Sequence, residues 1–149
     1  MRFDLSHGYV IDLPDSWNVA RDPDAGAELI GAVDISLAGF VPNIVVSFSA
    51  LDAVADASIE LWQKQSVAQL NEHLHDLLLI DYMLQEDAFR QVLTYVLDNR
   101  SLTLEQWVTR DTEAGVGVTV SATVPTLNYL DFVEQMTAIA WSLEKGSDE

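Results

Sequence analysis

"FRQVLTYVLDNRSLTLEQWVTRDTEAGVGVTVSATVP", residues 89 to 125, decides the fold. Phe89 to Leu97, Leu102 to Arg110 and Val116 to Val124 are rich in the β-branched, aromatic and aliphatic residues that suit a pleated surface. "DNRS" at 98–101 and "DTEAG" at 111–115 separate them; Asn, Asp and Gly tolerate the left-handed backbone that tight hairpins require. The third run alternates, with Val116, Val118, Val120, Ala122 and Val124 on one face and Gly117, Thr119, Ser121 and Thr123 on the other. Pro125 ends it, having no amide proton to give a ladder. "VLTYVL", residues 92–97, is apolar on both parities, so the middle of this meander needs cover on both faces.

Working outward, Leu77 to Gln85 supplies a fourth strand-like run. Before it, Ile59, Trp62, Ser66, Leu70 and Leu74 recur at helical spacing behind Asp56, which reads as an N-cap, giving a helix of about 18 residues. Tyr9 to Asp12 is a short strand that Pro14 stops. "RDPDAGAE" at 21–28 is a polar turn, Leu29 to Leu37 regains strand character, and "FVPNIVVSFSAL" at 40–51 breaks at Pro42-Asn43 and resumes as a strand. After the meander, Asn128 caps a second helix with Tyr129, Phe132, Val133, Met136, Ala140 and Leu143 on one stripe. Residues 144–149, "EKGSDE", read as a frayed acidic tail. The expected fold class is α+β: one domain over residues 1–149 with its core in about 9–143. An antiparallel sheet of about six strands lies between two main helices, an α/β/α sandwich.

Composition narrows the partners. With 149 residues the chain can bury roughly two thirds of its unfolded surface. Seven Lys and Arg against 24 Asp and Glu leave a net charge of −17, a field that repels phosphate backbones and anionic lipid. Nucleic acid and membrane are therefore poor partners, and no stretch is long and apolar enough for a membrane insertion. Absence of cysteine excludes disulfides, thiolate metal sites and a cysteine nucleophile. No signal-peptide-like run opens the sequence, so the expected localisation is cytoplasmic unless a leader has been removed.

Signatures of catalysis are missing. There is no Gly-x-Ser-x-Gly elbow and no glycine pair with the spacing of a nucleotide loop. Asp22, Asp24 and Glu28 alternate like a calcium loop, but Gly26 stands at its fifth position, Ala27 at its sixth and Val33 at its twelfth. His73 and His75 would share a face as zinc ligands only on a strand; at a helix end their imidazoles would face exposed carbonyls instead, which is the simpler reading. No catalytic residue, metal or cofactor is assigned.

One constellation stands out. If Leu97 pairs with Leu102 and Val108 with Val118, one face of the meander gathers Arg90, Glu105, Trp107, Thr109 and Thr119, with Thr94, Thr103, Ser121 and Thr123 around them. Arg90 then stands opposite Thr109, and Glu105 opposite Thr94. A tryptophan beside an Arg, a Glu and hydroxyls has the composition of an interface hot spot. The competing reading has a helix covering Trp107 and leaves the threonines as ordinary half-exposed strand residues.

Three pieces together carry a resemblance: Leu13-Pro14-x-x-Trp17 after a strand, Phe40-x-Pro42-Asn43-Ile44-x-Val46, and a meander closing in "SATVPTLNYLDFVEQM" at 121–136. Over roughly residues 9–143 the chain resembles the PsbP-like superfamily, which includes an extrinsic photosystem II protein and a Ran-binding nuclear-import factor. Within it the similarity is to the bacterial branch of LpqN/LpqT-type lipoproteins and Eag-type chaperones. The resemblance implies a sheet of about six strands between helices, in a superfamily that mostly binds proteins and seldom catalyses. It transfers no functional residue: Pro14, Trp17, Pro42 and Asn43 match as structural positions. In that reading Pro14 ends a ladder, Asp15 and Ser16 turn the chain, and the Trp17 indole pins the turn.

The function expected is a non-enzymatic protein-binding module, an adaptor or chaperone-like factor of a bacterial cell. The alternative is a small-ligand or metal-binding protein using the sheet face around Trp107. From the charge, the protein is expected not to bind duplex DNA or anionic vesicles at near-physiological salt. Retention on either at micromolar concentration would overturn this reading of the surface.

Overall fold

The computed structural model describes residues 1–37, 39–51 and 58–146. In chain order the elements are β1 (Arg2–Asp4), β2 (Tyr9–Asp12), β3 (Asn18–Asp22), β4 (Ala27–Ala32), β5 (Asn43–Ala50), α1 (Ile59–His73), β6 (His75–Leu84), β7 (Ala88–Leu97), β8 (Arg100–Asp111), β9 (Val116–Pro125), α2 (Tyr129–Trp141) and β10 (Glu144–Lys145). A 7-stranded antiparallel sheet runs β3-β4-β5-β9-β8-β7-β6, and a 3-stranded one runs β1-β2-β10.

The fold is thus α+β as expected, but with more strands than about six. Three strands escaped the sequence pattern for physical reasons. β1 is too short to show periodicity. Every residue of β3 is exposed, so no alternation marks it. β10 lies in the segment read as a frayed tail: Glu144 pairs with Val10, Lys145 with Tyr9, and the Gly146 amide donates to Gly8 O at 2.7 Å. Lys145 Nζ also meets Asp111 Oδ2 at 3.0 Å. Residues 147–149 of that tail, like the Asp56 assigned as an N-cap, lie outside the described residues. The described cap of α1 is Ser58, whose Oγ accepts from the Leu61 amide at 3.1 Å, and the helix has 15 residues. β4 ends at Ala32, short of the expected Leu37. Asn128 holds the N-cap position of α2 but makes no side-chain capping bond.

Two turns set the register of the meander. Asp98 (φ 51°) and Asn99 (φ 64°) are both left-handed, forming a two-residue turn of the primed type that matches strand twist. Leu97 therefore pairs with Arg100, and Ser101 belongs to β8. At the next corner the Ala114 amide donates to Asp111 Oδ1 at 3.0 Å and Gly115 takes φ 72°, closing a loop in which Asp111 pairs with Val116. Val108 consequently faces Thr119, not Val118. A slip of one residue moves every side chain of β9 to the other face.

The two faces then differ in chemistry. On the α2 side Ile44, Val46, Val118, Val120 and Ala122 meet Met136, Ile139 and Ala140 of the helix, with Ile11, Leu13 and Trp17 completing the core. On the α1 side Phe89 packs edge-on against Trp62, and a ladder of amides crosses the sheet. Gln63 Nε2 donates to Gln91 Oε1 (3.0 Å), Gln91 Nε2 to Gln106 Oε1 (2.8 Å), and Gln106 Nε2 to Ser121 Oγ (3.0 Å). Gln63 and Gln91 are buried, and their mutual hydrogen bonds offset the desolvation that burial imposes. Gln63 thereby keys α1 to the sheet through polar contacts beside the apolar cluster of Ile59, Trp62, Phe89 and Val108, whereas the core beneath the middle of α2 is apolar throughout.

Trp17 is only 7 % exposed. Its amide donates to Pro14 O at 3.1 Å, closing the turn, and its indole lies with Leu13 over Gly31 of β4, where a Cβ would come within 3.2 Å of Trp17 Cε3. Pro42 is buried, its carbonyl accepts from the Val33 amide at 3.1 Å, and Asn43 Nδ2 donates to Val41 O at 3.0 Å. Truncating Trp17 to Ala is expected to cost about 3 kcal/mol or more in urea unfolding, as for other buried aromatics. A cost under about 1 kcal/mol would place its indole outside the core.

Candidate functional site: a groove beside Trp107

The site is built on one cross-strand row. Arg90 of β7, Trp107 of β8 and Val120 of β9 pair in register and face the α2 side. The register differs from the expected one by two residues between β7 and β8: Arg90 faces Trp107 where Thr109 was expected, and Glu105 faces Val92 where Thr94 was expected. A shift of two preserves parity, so Arg90, Glu105, Trp107 and Thr109 do share a face. Thr119 does not. The one-residue slip at β9 places it, with Ser121 and Thr123, on the α1 face, where it lines a separate polar cavity of about 180 Å³ with Trp62, Ser66 and Gln106.

Glu105 is 3 % exposed, and two partners hold it. Arg90 Nε donates to Oε2 at 2.7 Å, and the Tyr129 hydroxyl, from the first turn of α2, donates to Oε1 at 2.6 Å. Burial disfavours the Arg90 cation, yet the Glu105 hydrogen bond and charge outweigh that and raise its pKa above the ordinary value. Burial, and next the Glu105 carboxylate, push the Tyr129 phenol up to about 12. Arg90, Glu105 and Tyr129 thus form a charge-assisted clamp between α2 and the meander. Thr103 is buried and donates to Thr126 Oγ1 at 3.0 Å, so it also belongs to the α2 junction.

Beyond this clamp the helix leaves the sheet uncovered. A groove of about 580 Å³ opens between the C-terminal half of α2 and the ends of β6, β7 and β8. Its floor includes Arg90, Trp107 and Thr109, with Val120 fully buried beneath them; Met83 stands on one rim and Trp141 on the other. Met83 is 56 % exposed and Trp141 77 % exposed. Trp107 is half-buried against the core, and its Nε1–H is buried with no acceptor among the described residues. Helix α2 thus covers one side of this face and leaves the other side open.

Met83 and Trp141 were missed in the sequence. The signal for Trp141 was present: it falls off the apolar stripe of α2, and an exposed large aromatic off the stripe needs a reason. His73 ends α1 and His75 opens β6, on either side of the Leu74 cap, so the two do not share one helix end. Among the described residues no group of three or more His, Asp and Glu could hold a metal ion. No described helix is long and apolar enough to cross a membrane.

Solved structures with this architecture are known. The solution structure of cyanobacterial PsbP (CyanoP) from Synechocystis superposes with a TM-score of 0.73 at 15% identity, over 98% of this chain and 92% of that one. The chain has the PsbP-like fold. The same fold is seen in LpqN, involved in cell envelope biogenesis of Mycobacterium tuberculosis, at a TM-score of 0.67 and 12% identity over 96% and 89% of the two chains. It is seen again in the Saccharomyces cerevisiae Ran-binding protein Mog1p, at 0.64 and 11% over 97% and 94%. No family model and no curated protein sequence matches the chain.

An unpaired buried donor costs about 1–3 kcal/mol, so Trp107→Phe, which removes it and keeps most of the ring, is expected to leave stability within about 1 kcal/mol of wild type or to raise it. Trp107→Ala should cost about 3 kcal/mol. A loss of several kcal/mol for the phenylalanine variant in urea unfolding would show that the indole N–H is bonded.

Proposed function

We propose that this chain is a non-enzymatic protein-binding module, an adaptor or chaperone-like factor of a bacterial cell, whose binding surface is the groove between β6–β8 and the end of α2. One observation carries the proposal. An open groove with a half-buried tryptophan at its floor is rimmed by two large exposed apolar side chains, Met83 and Trp141. Aromatic and methionine side chains around a desolvated centre are the composition of protein-binding surfaces. The fold lends support, since one protein that shares it is named for binding Ran. Glu105 is already held by Arg90 and by the Tyr129 hydroxyl, so it serves as a rigid floor more than as a free charge.

Met83→Ser and Trp141→Ser remove exposed side chains and leave the core intact. The protein retained from native lysate by wild type should be lost by about tenfold or more in the double variant, a change of about 1.4 kcal/mol. Retention unchanged by the double variant would overturn the assignment. Small-molecule density in the groove of crystals grown from native material would favour a ligand-binding role instead.

A further inference from the structure

β6 ends the 7-stranded sheet, and its outer edge pairs with no described strand. Edge strands are normally short or charged, because a free row of N–H and C=O groups templates pairing with another chain. The opposite edge obeys this: β3 has five residues, including Asn18, Arg21 and Asp22. β6 does not. It has ten residues, with Leu78 63 % and Ile80 59 % exposed, and Leu79, Tyr82, Met83 and Leu84 exposed as well. Two register shifts against β7, between His75 and Leu78 and between Leu79 and Asp81, bend the strand without covering it.

The charge around this edge selects the occupant. Asp76 opens the apolar run, Asp81 interrupts it and Glu86 follows it; among the described residues none of the three forms an ion pair, although Asp81 lies within the electrostatic reach of Arg90. No Lys or Arg lies in β6. A second copy would bring acids against acids, each chain carrying −17. A segment with apolar centre and basic flanks meets both requirements.

Resting on the protein-binding reading of the neighbouring groove, we propose that β6 accepts an extended, apolar, lysine- or arginine-flanked segment of a partner protein as an eighth strand. Main-chain hydrogen bonds would hold it, and alternate side chains would sort by face. Met83 pairs with Arg90 and so projects to the groove side. An added strand about 4.8 Å beyond β6 therefore extends the groove floor outward.

The probe is a synthetic peptide of alternating valine and threonine with two lysines at each end, added to the full chain at low salt. Binding should slow hydrogen exchange of β6 amides by about tenfold or more. Affinity should fall by about tenfold or more with glutamate flanks, with 0.5 M salt, with backbone N-methylation of the peptide, and with the Leu78→Lys/Ile80→Lys variant. Absence of binding, or binding that survives N-methylation, glutamate flanks or the lysine variant, would overturn the proposal. So would β6 amides already protected in a chain that sediments as a dimer, which would make a second copy the occupant. The groove reading fails or stands separately: Met83→Ser/Trp141→Ser tests native-partner retention, whereas Leu78→Lys/Ile80→Lys tests strand addition.

Discussion

Asp111 and Val116 face each other across one loop, and that pairing decides which side of the sheet each residue of β9 occupies. The bond from the Ala114 amide to Asp111 Oδ1 fixes the loop, and the same carboxylate accepts from the Tyr9 hydroxyl at 2.7 Å and meets Lys145. These contacts, the amide bond foremost, hold the Asp111 carboxyl down at about 2. Its ionised state therefore favours the folded chain above the ordinary carboxylate range, and that contribution fades as pH falls toward 2. One acidic side chain so ties the meander, the small sheet and the last described strand together.

With that register in place the faces acquire their characters. Valines of β9 join the core beneath α2, and Ser121 and Thr119 turn to α1, where Ser121 completes the amide ladder through Gln106 and Gln91. A slip by one residue would set valines against Gln106 and hydroxyls against the apolar stripe of α2. Both errors bury unsatisfied groups. The amide ladder thus lies on the α1 side only, and the valine face of β9 on the α2 side. The clamp of Glu105 by Arg90 and Tyr129 then seats the start of α2 over the meander, while its C-terminal half forms one wall of the groove beside Trp107. The groove follows from how the helix is anchored.

Much of the fold was legible because it is local. Turn residues at 98–99 and 111–115, alternation in β9 and the stripe of α2 all declare themselves within a dozen residues. Register did not, because one residue more or less in a loop is decided by side-chain bonds such as that of Asp111, which composition does not reveal. Hence Arg90, Glu105, Trp107 and Thr109 share the expected face, while Thr119 lies on the opposite one. Gln63 and Ser66 carried a signal too: polar residues on the inward stripe of α1 call for polar partners, which Gln91 supplies. The exposed rims, Met83 and Trp141, come from different elements and meet only in three dimensions.

The β8–β9 register sets Trp107 on the same face as Val120, and the groove depends on it. The most direct test is a set of inter-strand nuclear Overhauser contacts on the isotopically labelled chain. Backbone contacts are expected to join Trp107 to Val120 and Val108 to Thr119, with the Trp107 ring near Ala140 of α2. Contacts joining Val108 to Val118 and Trp107 to Thr119 would contradict that register, and would return Thr119 to the side of the site.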